Sequence, residues 1–174
     1  MKKNANTMRP GLPGYTGPVT GTFALLHHGV LFEWSHDVTE RVTYVRRVKR
    51  TIEVPIRLRH MLYLGGCRER GMVAYGKAGA AYDKAREAYG KARAANDKAW
   101  ESLRWAVHDK ASHDKAREAV DRAWEAYGKA REAVDREGAA YDKAWEAVDQ
   151  AAVLAYIRKH VPDCRWDGKE LLFN

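Results

Sequence analysis

Hydrophobic positions recur with three different periods along this chain, and each period predicts a different element. Thr22 to Trp34 (TFALLHHGVLFEW) is a dense run of aromatic and branched residues on either side of His27, His28 and Gly29. It predicts two short strands meeting near Gly29, or one strand bulged there. Ser35 follows as a helix N-cap, with Asp37 in the positive first turn. Val38, Val42, Val45 and Ile52 then share one helical stripe, leaving Arg46, Arg47 and Arg50 on the outer face. From Val54 to Leu64 the apolar period is two, which predicts a strand, with Pro55 at its start or on an edge. Gly65, Gly66 and Gly71 close this segment.

Beyond them the period becomes seven. Tyr75, Tyr82, Tyr89, Asn96 and Leu103 form one series, and His113, Val120, Tyr127, Val134, Tyr141 and Val148 form a second. Alanine occupies the companion seam positions, such as Ala85 and Ala92, which lets helices approach closely. An exact heptad implies left-handed supercoiling. Glu87 to Lys91 and Glu125 to Lys129 have the favourable i, i+4 order, and Gly76, Gly90 and Gly128 cost about 1 kcal/mol each against alanine. The step from Leu103 to His113 is ten residues, so the helix either continues through an overwound step or turns back near 108–112, with Ser112 as the new cap. The hairpin is the favoured reading. Pro162 ends the helical tract, and Lys169 to Phe173 is expected to form a short strand or clasp.

These patterns predict a mainly α protein: a long Ala-rich antiparallel helical hairpin (coiled coil), a small N-terminal α/β module and a short C-terminal strand. The expected organisation is a flexible Pro/Gly-rich tail (1–21), a small basic α/β module (22–72), the heptad rod (73–158) and a C-terminal clasp (159–174). A module of that size is too small for a self-sufficient core, so it is expected to lean on the rod, a metal or a second copy.

Charge sharpens the picture. Of the formal net +8, residues 1–72 hold +7 (twelve Lys/Arg against five Asp/Glu), and the remainder is nearly neutral. Such asymmetry favours an anionic partner such as nucleic acid, a nucleotide or a membrane surface. No apolar run approaches the roughly 18 residues of a membrane span, and the first 21 residues lack the apolar core of a signal peptide. With only two cysteines, a cytoplasmic protein with reduced thiols and no membrane partner is expected.

In three places the chain resembles a family of phage and mobile-element proteins. The first is His27-His28-Gly29-Val30-Leu31 followed by Arg41-Val42-Thr43-Tyr44-Val45-Arg46 and Arg57-Leu58-Arg59. The second is the tract of AxYxKA heptads. The third is a tail of the form HxxxCxxCxWxGxxxF, matched by His160, Cys164, Trp166, Gly168 and Phe173, with one of the two tail cysteines missing. The resemblance implies a viral or mobile setting, in the bacterial cytoplasm, and no particular chemistry.

Arg46, Arg47, Lys49, Arg50, Arg57 and Arg59 are the expected phosphate-binding set, because the planar guanidinium pairs two phosphate oxygens at once. His27, His28, Glu33, His36 and Asp37 form the densest group of catalytic-capable residues, and His27 and His28 are possible accessories, able in principle to act on phosphate or bind metal. Cys67, His160 and Cys164, with His60, are candidate zinc ligands, although no cofactor is the simpler expectation. Trp100, Trp105, Trp124 and Trp145 are expected to be helix-packing residues. There is no HExxH, GxSxG or GxxxxGK[ST] signature. The function expected is a non-enzymatic, oligomeric binding protein that captures nucleic acid or a signalling nucleotide, for example as a phage counter-defence sponge. A structural spacer or filament, and a metal-dependent phosphate-cleaving enzyme, are the alternatives.

Overall fold

The fold is a mainly α protein with a small antiparallel sheet, seen in a computed structural model that describes residues 8–27, 29–106, 109–164 and 166–170. The elements are β1 (Gly21–His27), β2 (Val30–Ser35), α1 (Val38–Val48), α2 (Glu53–His60), β3 (Leu62–Tyr63), α3 (Arg70–Trp105), α4 (Lys110–Glu146) and α5 (Gln150–His160). The chain divides into two compact units, one of residues 1–79 with 144–174 and the other of residues 80–143. Among the described residues, no helix is long and apolar enough to cross a membrane.

In the first unit the sheet order is β2-β1-β3. β1 and β2 pair from Gly21↔Ser35 to Ala24↔Phe32, then slip into a bulge before His27↔Val30. Leu25 at φ 57° lies in that bulge; of the two expected geometries, two strands meeting near Gly29 is the one that forms, and the bulge falls within β1. The alternation of strand side chains separates two faces. Phe23 and Leu26 pack with Val38, Val42 and Val45 of α1 and with Leu58 and Met61. Across the sheet, Phe32 meets Tyr75 of α3 edge-on at 5.3 Å, and the Tyr75 hydroxyl accepts from the Trp34 N–H at 3.1 Å. Gly79 allows this contact, since a Cβ there would lie 2.6 Å from the Trp34 ring. α5 adds Val153 and Ile157, both fully buried.

Several elements differ from the sequence expectation. Residues 54–64 form α2 and only a two-residue strand. Pro55 sits in the first helical turn, where its missing N–H has no intrahelical acceptor. Val54, Leu58 and Met61 make a helical stripe onto the core, and Arg57 pairs with Glu53 one turn back at 3.2 Å. The preceding helix stops at Val48, leaving Ile52 exposed. Its N-cap is Asp37, which accepts from Thr39 N–H at 2.7 Å, while Ser35 ends β2. From Met8 onward the expected flexible tail is tied down. Met8 O accepts from Tyr63 N–H at 2.6 Å, Val19 O accepts from Val38 N–H at 2.8 Å, and Gly11 lies where a Cβ would stand 2.0 Å from Leu58 O. Proline and glycine exclude regular structure there without excluding packing.

The expected rod contains a second interruption. α4 ends at Glu146, and a new helix starts under the Asp149 cap, which accepts from Ala151 and Ala152 N–H at 3.0 and 3.1 Å. The bend passes against Gly71, where a Cβ would meet Ala147 O at 2.7 Å. Of the expected C-terminal strand, Lys169 and Glu170 lie in a bend whose N–H groups bond Asp167, and Leu171 to Phe173 lie outside the described residues.

In the second unit α3 and α4 pack antiparallel. Tyr82 stacks on Tyr141 at 6.0 Å, and Tyr89 meets Tyr127 at 5.0 Å with a 2.6 Å hydroxyl–hydroxyl hydrogen bond. Ala85 is buried in the seam. The pairs Glu87–Lys91 (2.6 Å) and Glu125–Lys129 (2.5 Å) form as spaced. The chain reverses between Trp105 and Lys110, and Asp109, not Ser112, caps α4: its carboxylate accepts from Ser112 N–H at 2.8 Å. Replacing Ala85 and Ala92 together by leucine should overpack this seam and cost about 1–3 kcal/mol. Thermal unfolding followed by circular dichroism checks it, and an unchanged or higher Tm would mean that alanine is not needed for the close approach.

Candidate functional site

α1 forms because Asp37 satisfies its first turn and Val38, Val42 and Val45 provide a buried stripe. The same geometry turns Arg46, Arg47 and Tyr44 outward. Arg46 and Arg47 also stand in the last turn, where cations complement the negative end of the helix dipole. Lys49 caps the helix through its N–H, bonded to Val45 O at 3.2 Å. All of Arg46, Arg47 and Arg50 are exposed, and Lys49 is half-buried.

Tyr44 organises the surface between these cations. The residue is 42% exposed, with the Arg41 guanidinium 4.9 Å from the ring centroid and the Lys49 ammonium at 5.4 Å. Cations at this range are held by the ring's negative face. Arg41 is anchored from behind by donating Nε–H to Leu26 O at 2.9 Å. Burial lowers the Arg41 pKa from its ordinary value, opposed by the Glu33 carboxylate; an arginine so shifted still remains charged. Glu33 also holds His27 through a short Nδ1···Oε1 contact. A carboxylate on Nδ1 fixes the ring orientation and leaves Nε2 as its other polar atom. His28 lies outside the described residues.

The other two arginines of the expected set have different roles. Arg57 is buried, and its Nε–H donates to Glu53 Oε2 at 3.2 Å. Arg59 pairs with Asp163 at 3.0 Å, linking α2 to the segment after α5. The set is therefore split: Arg46, Arg47, Lys49 and Arg50 share the end of α1, while Arg57 and Arg59 are engaged by carboxylates. Arg50 approaches Glu53 only at 3.9 Å. Sequence patterning missed Arg41 and Tyr44 as members of this surface, whereas Glu33 stood in the sequence group with His27, which it contacts here. The available signal was Arg41 and Tyr44 at i, i+3, with Arg41 on the flank of the valine stripe and Tyr44 further round the helix.

The zinc set does not come together. Among the described residues, no group of three or more His, Cys, Asp and Glu is placed to hold a metal ion. His60 is fully buried, with Nδ1 on Ile56 O at 2.6 Å and Nε2 on Asp163 O at 2.9 Å, so both ring nitrogens are occupied by backbone carbonyls. His160 lies against the Tyr156 ring at 4.5 Å, and burial with the adjacent Lys159 lowers its pKa. Cys67 is buried and Cys164 half-buried, both as free thiols, and burial raises the Cys164 pKa.

The tryptophans also depart from expectation. Trp145 reaches Phe32 at 6.4 Å and Trp124 reaches Tyr127 at 5.8 Å, yet Trp100, Trp105, Trp124 and Trp145 remain 51%, 74%, 60% and 42% exposed. No family model, curated protein or solved structure matches the chain.

Hydrogen bonds from Thr39 hold the Asp37 pKa below the usual carboxylate range. A depressed folded-state value means its cap contributes above the unfolded pKa of about 3.9 and is lost as pH falls through the folded value. Asp37→Ala should cost about 1 kcal/mol near neutral pH, and the difference from the parent should shrink in acid. Denaturant unfolding at pH 7 and pH 2 measures both; an equal deficit at the two pH values would show that the carboxylate charge is irrelevant to the cap.

Proposed function

We propose that this chain is a non-enzymatic binding protein that captures a phosphate-bearing ligand, nucleic acid or a nucleotide, on the outer face of α1. The observation that supports this reading is Tyr44, half-exposed and bracketed by Arg41 and Lys49, with Arg46, Arg47 and Arg50 exposed alongside. A base stacks on an exposed aromatic ring, while guanidinium groups take the phosphates. Seventeen Lys/Arg against ten Asp/Glu give residues 1–79 with 144–174 a net +7, which would draw an anion to this part of the chain. In a phage setting the same capture would act as a sponge for nucleic acid or a signalling nucleotide.

Equilibrium binding of short single-stranded oligonucleotides and cyclic nucleotides across a salt series tests the proposal. Affinity should fall with salt. Arg46→Ala combined with Arg50→Ala should weaken binding and reduce the log–log salt slope by roughly 1.4 for single strands, about 0.7 per lost phosphate contact. Tyr44→Ala should lower affinity for base-bearing ligands while sparing inorganic phosphate. Unaltered affinity in both variants would remove this face from consideration. Arg57→Ala is expected to act differently: it leaves Glu53 without its buried partner and should lower Tm by destabilising α2.

A further inference from the structure

The second unit has a surface feature unrelated to the basic face. Along its seam, tyrosine pairs fill the space between the helices at Tyr82–Tyr141 and Tyr89–Tyr127. Toward the turn the same heptad positions hold Asn96, Leu103, His113 and Val120. Asn96 is buried, and its Oδ1 has no hydrogen-bond partner among the described residues. With smaller residues on the seam, a groove of about 510 Å³ opens between α3 and α4. Trp100 and Leu103 line it from α3, and His113, Arg117, Val120, Asp121 and Trp124 line it from α4. Val120 is buried, while Trp100 and Trp124 are more than half exposed.

We infer that this groove is a self-docking surface, and that two copies of the chain pair through it by their helical hairpins. Trp100 and Trp124 leave roughly 250 Å² of indole in water at about 200–250 Å² per side chain, about a third of the ~800 Å² that each partner buries in a standard interface. The charge pattern selects the occupant. Residues 80–143 hold fourteen Lys/Arg against thirteen Asp/Glu, a net of +1. The signs alternate along each helix, so the hairpin presents no single-sign field for nucleic acid or an anionic bilayer. It is instead complementary to itself. Arg117 and Asp121 stand one helical turn apart beside the groove, and neither forms an ion pair among the described residues, whereas neighbouring Glu118 pairs with Arg122 at 3.6 Å. A two-fold axis makes each contact occur twice. It brings Arg117 of one copy to Asp121 of the second, and the reverse, while both tryptophan pairs are covered.

Sedimentation velocity of the full chain over a wide concentration range, with tryptophan emission recorded in parallel, tests the pairing. A concentration-dependent dimer is expected, with emission moving to shorter wavelength as it forms. Trp100→Ala with Trp124→Ala should raise the dimer dissociation constant by roughly tenfold or more without loss of helical circular dichroism. Arg117→Asp should weaken the dimer, and Arg117→Asp with Asp121→Arg should restore it. The charge swap decides the matter if the tryptophan variant loses helicity. A wild-type chain that stays monomeric, one that grows into open-ended polymers, or a charge swap that fails to rescue would each overturn the inference.

Discussion

The first unit depends on the close seating of the start of α3 against the β1–β2 hairpin. Tyr75 binds the Trp34 backbone and packs on Phe32, and Gly79 admits the Trp34 ring where any larger residue would collide. This contact closes the second face of a sheet whose first face is already covered by α1 and α2. Two strands and a two-residue third could not bury enough surface alone. Trp145, arriving after the hairpin, reaches the same Phe32, so the sheet needs residues from both sides of a long excursion. The rod is thus a source of core for the unit it leaves.

That arrangement also explains the surface chemistry. With Val38, Val42 and Val45 committed inward, the outer side of α1 is left to Tyr44, Arg46 and Arg47, with Arg41 part-buried on the flank. Cations at a helix C-terminus stabilise the helix whether or not a ligand binds. The feature that goes beyond helix stabilisation is the half-exposed tyrosine held between two of them. The buried arginine does the opposite kind of work. Arg57 is neutralised within α2 by Glu53, and Arg59 is joined to Asp163, so they hold the fold together. Among these like-charged residues, burial sets Arg57 apart, while the exposed Arg59 is set apart by its carboxylate partner.

The hairpin follows a different constraint. Its alanines permit close approach, and its tyrosines set the spacing where they meet. Asn96 interrupts the tyrosine series at a buried position, a substitution that costs stability and specifies register in helical seams. Beyond it the helices no longer fill the space between them, and indole rings line the gap. Neutral, mixed-sign charge on this unit contrasts with the positive charge of the other.

Periodicity alone determined a great deal. The seven-residue spacing gives two long helices, the ten-residue step marks where they reverse, and the valine stripe gives α1 with its cationic exterior. These are local properties, set by which residues can share a helix face. Where local signals were degenerate, tertiary contacts decided. Residues 54–64 satisfy both a period of two and a stripe at Val54, Leu58 and Met61, and packing against Phe23 and Val45 selected the helix. The Pro/Gly-rich start gave no element, yet Gly11 against Leu58 fixed its path. The break at 147–149 carried only Asp149 as a local signal, and it packs against Gly71, more than seventy residues away. The same holds for the site: the cations were legible as charge, but which of them face solvent, and that His27 meets Glu33 beside Arg41, followed from strand register and helix docking. A sequence specifies what each segment can bury; only the assembled core settles which of those faces is buried and which is left to solvent.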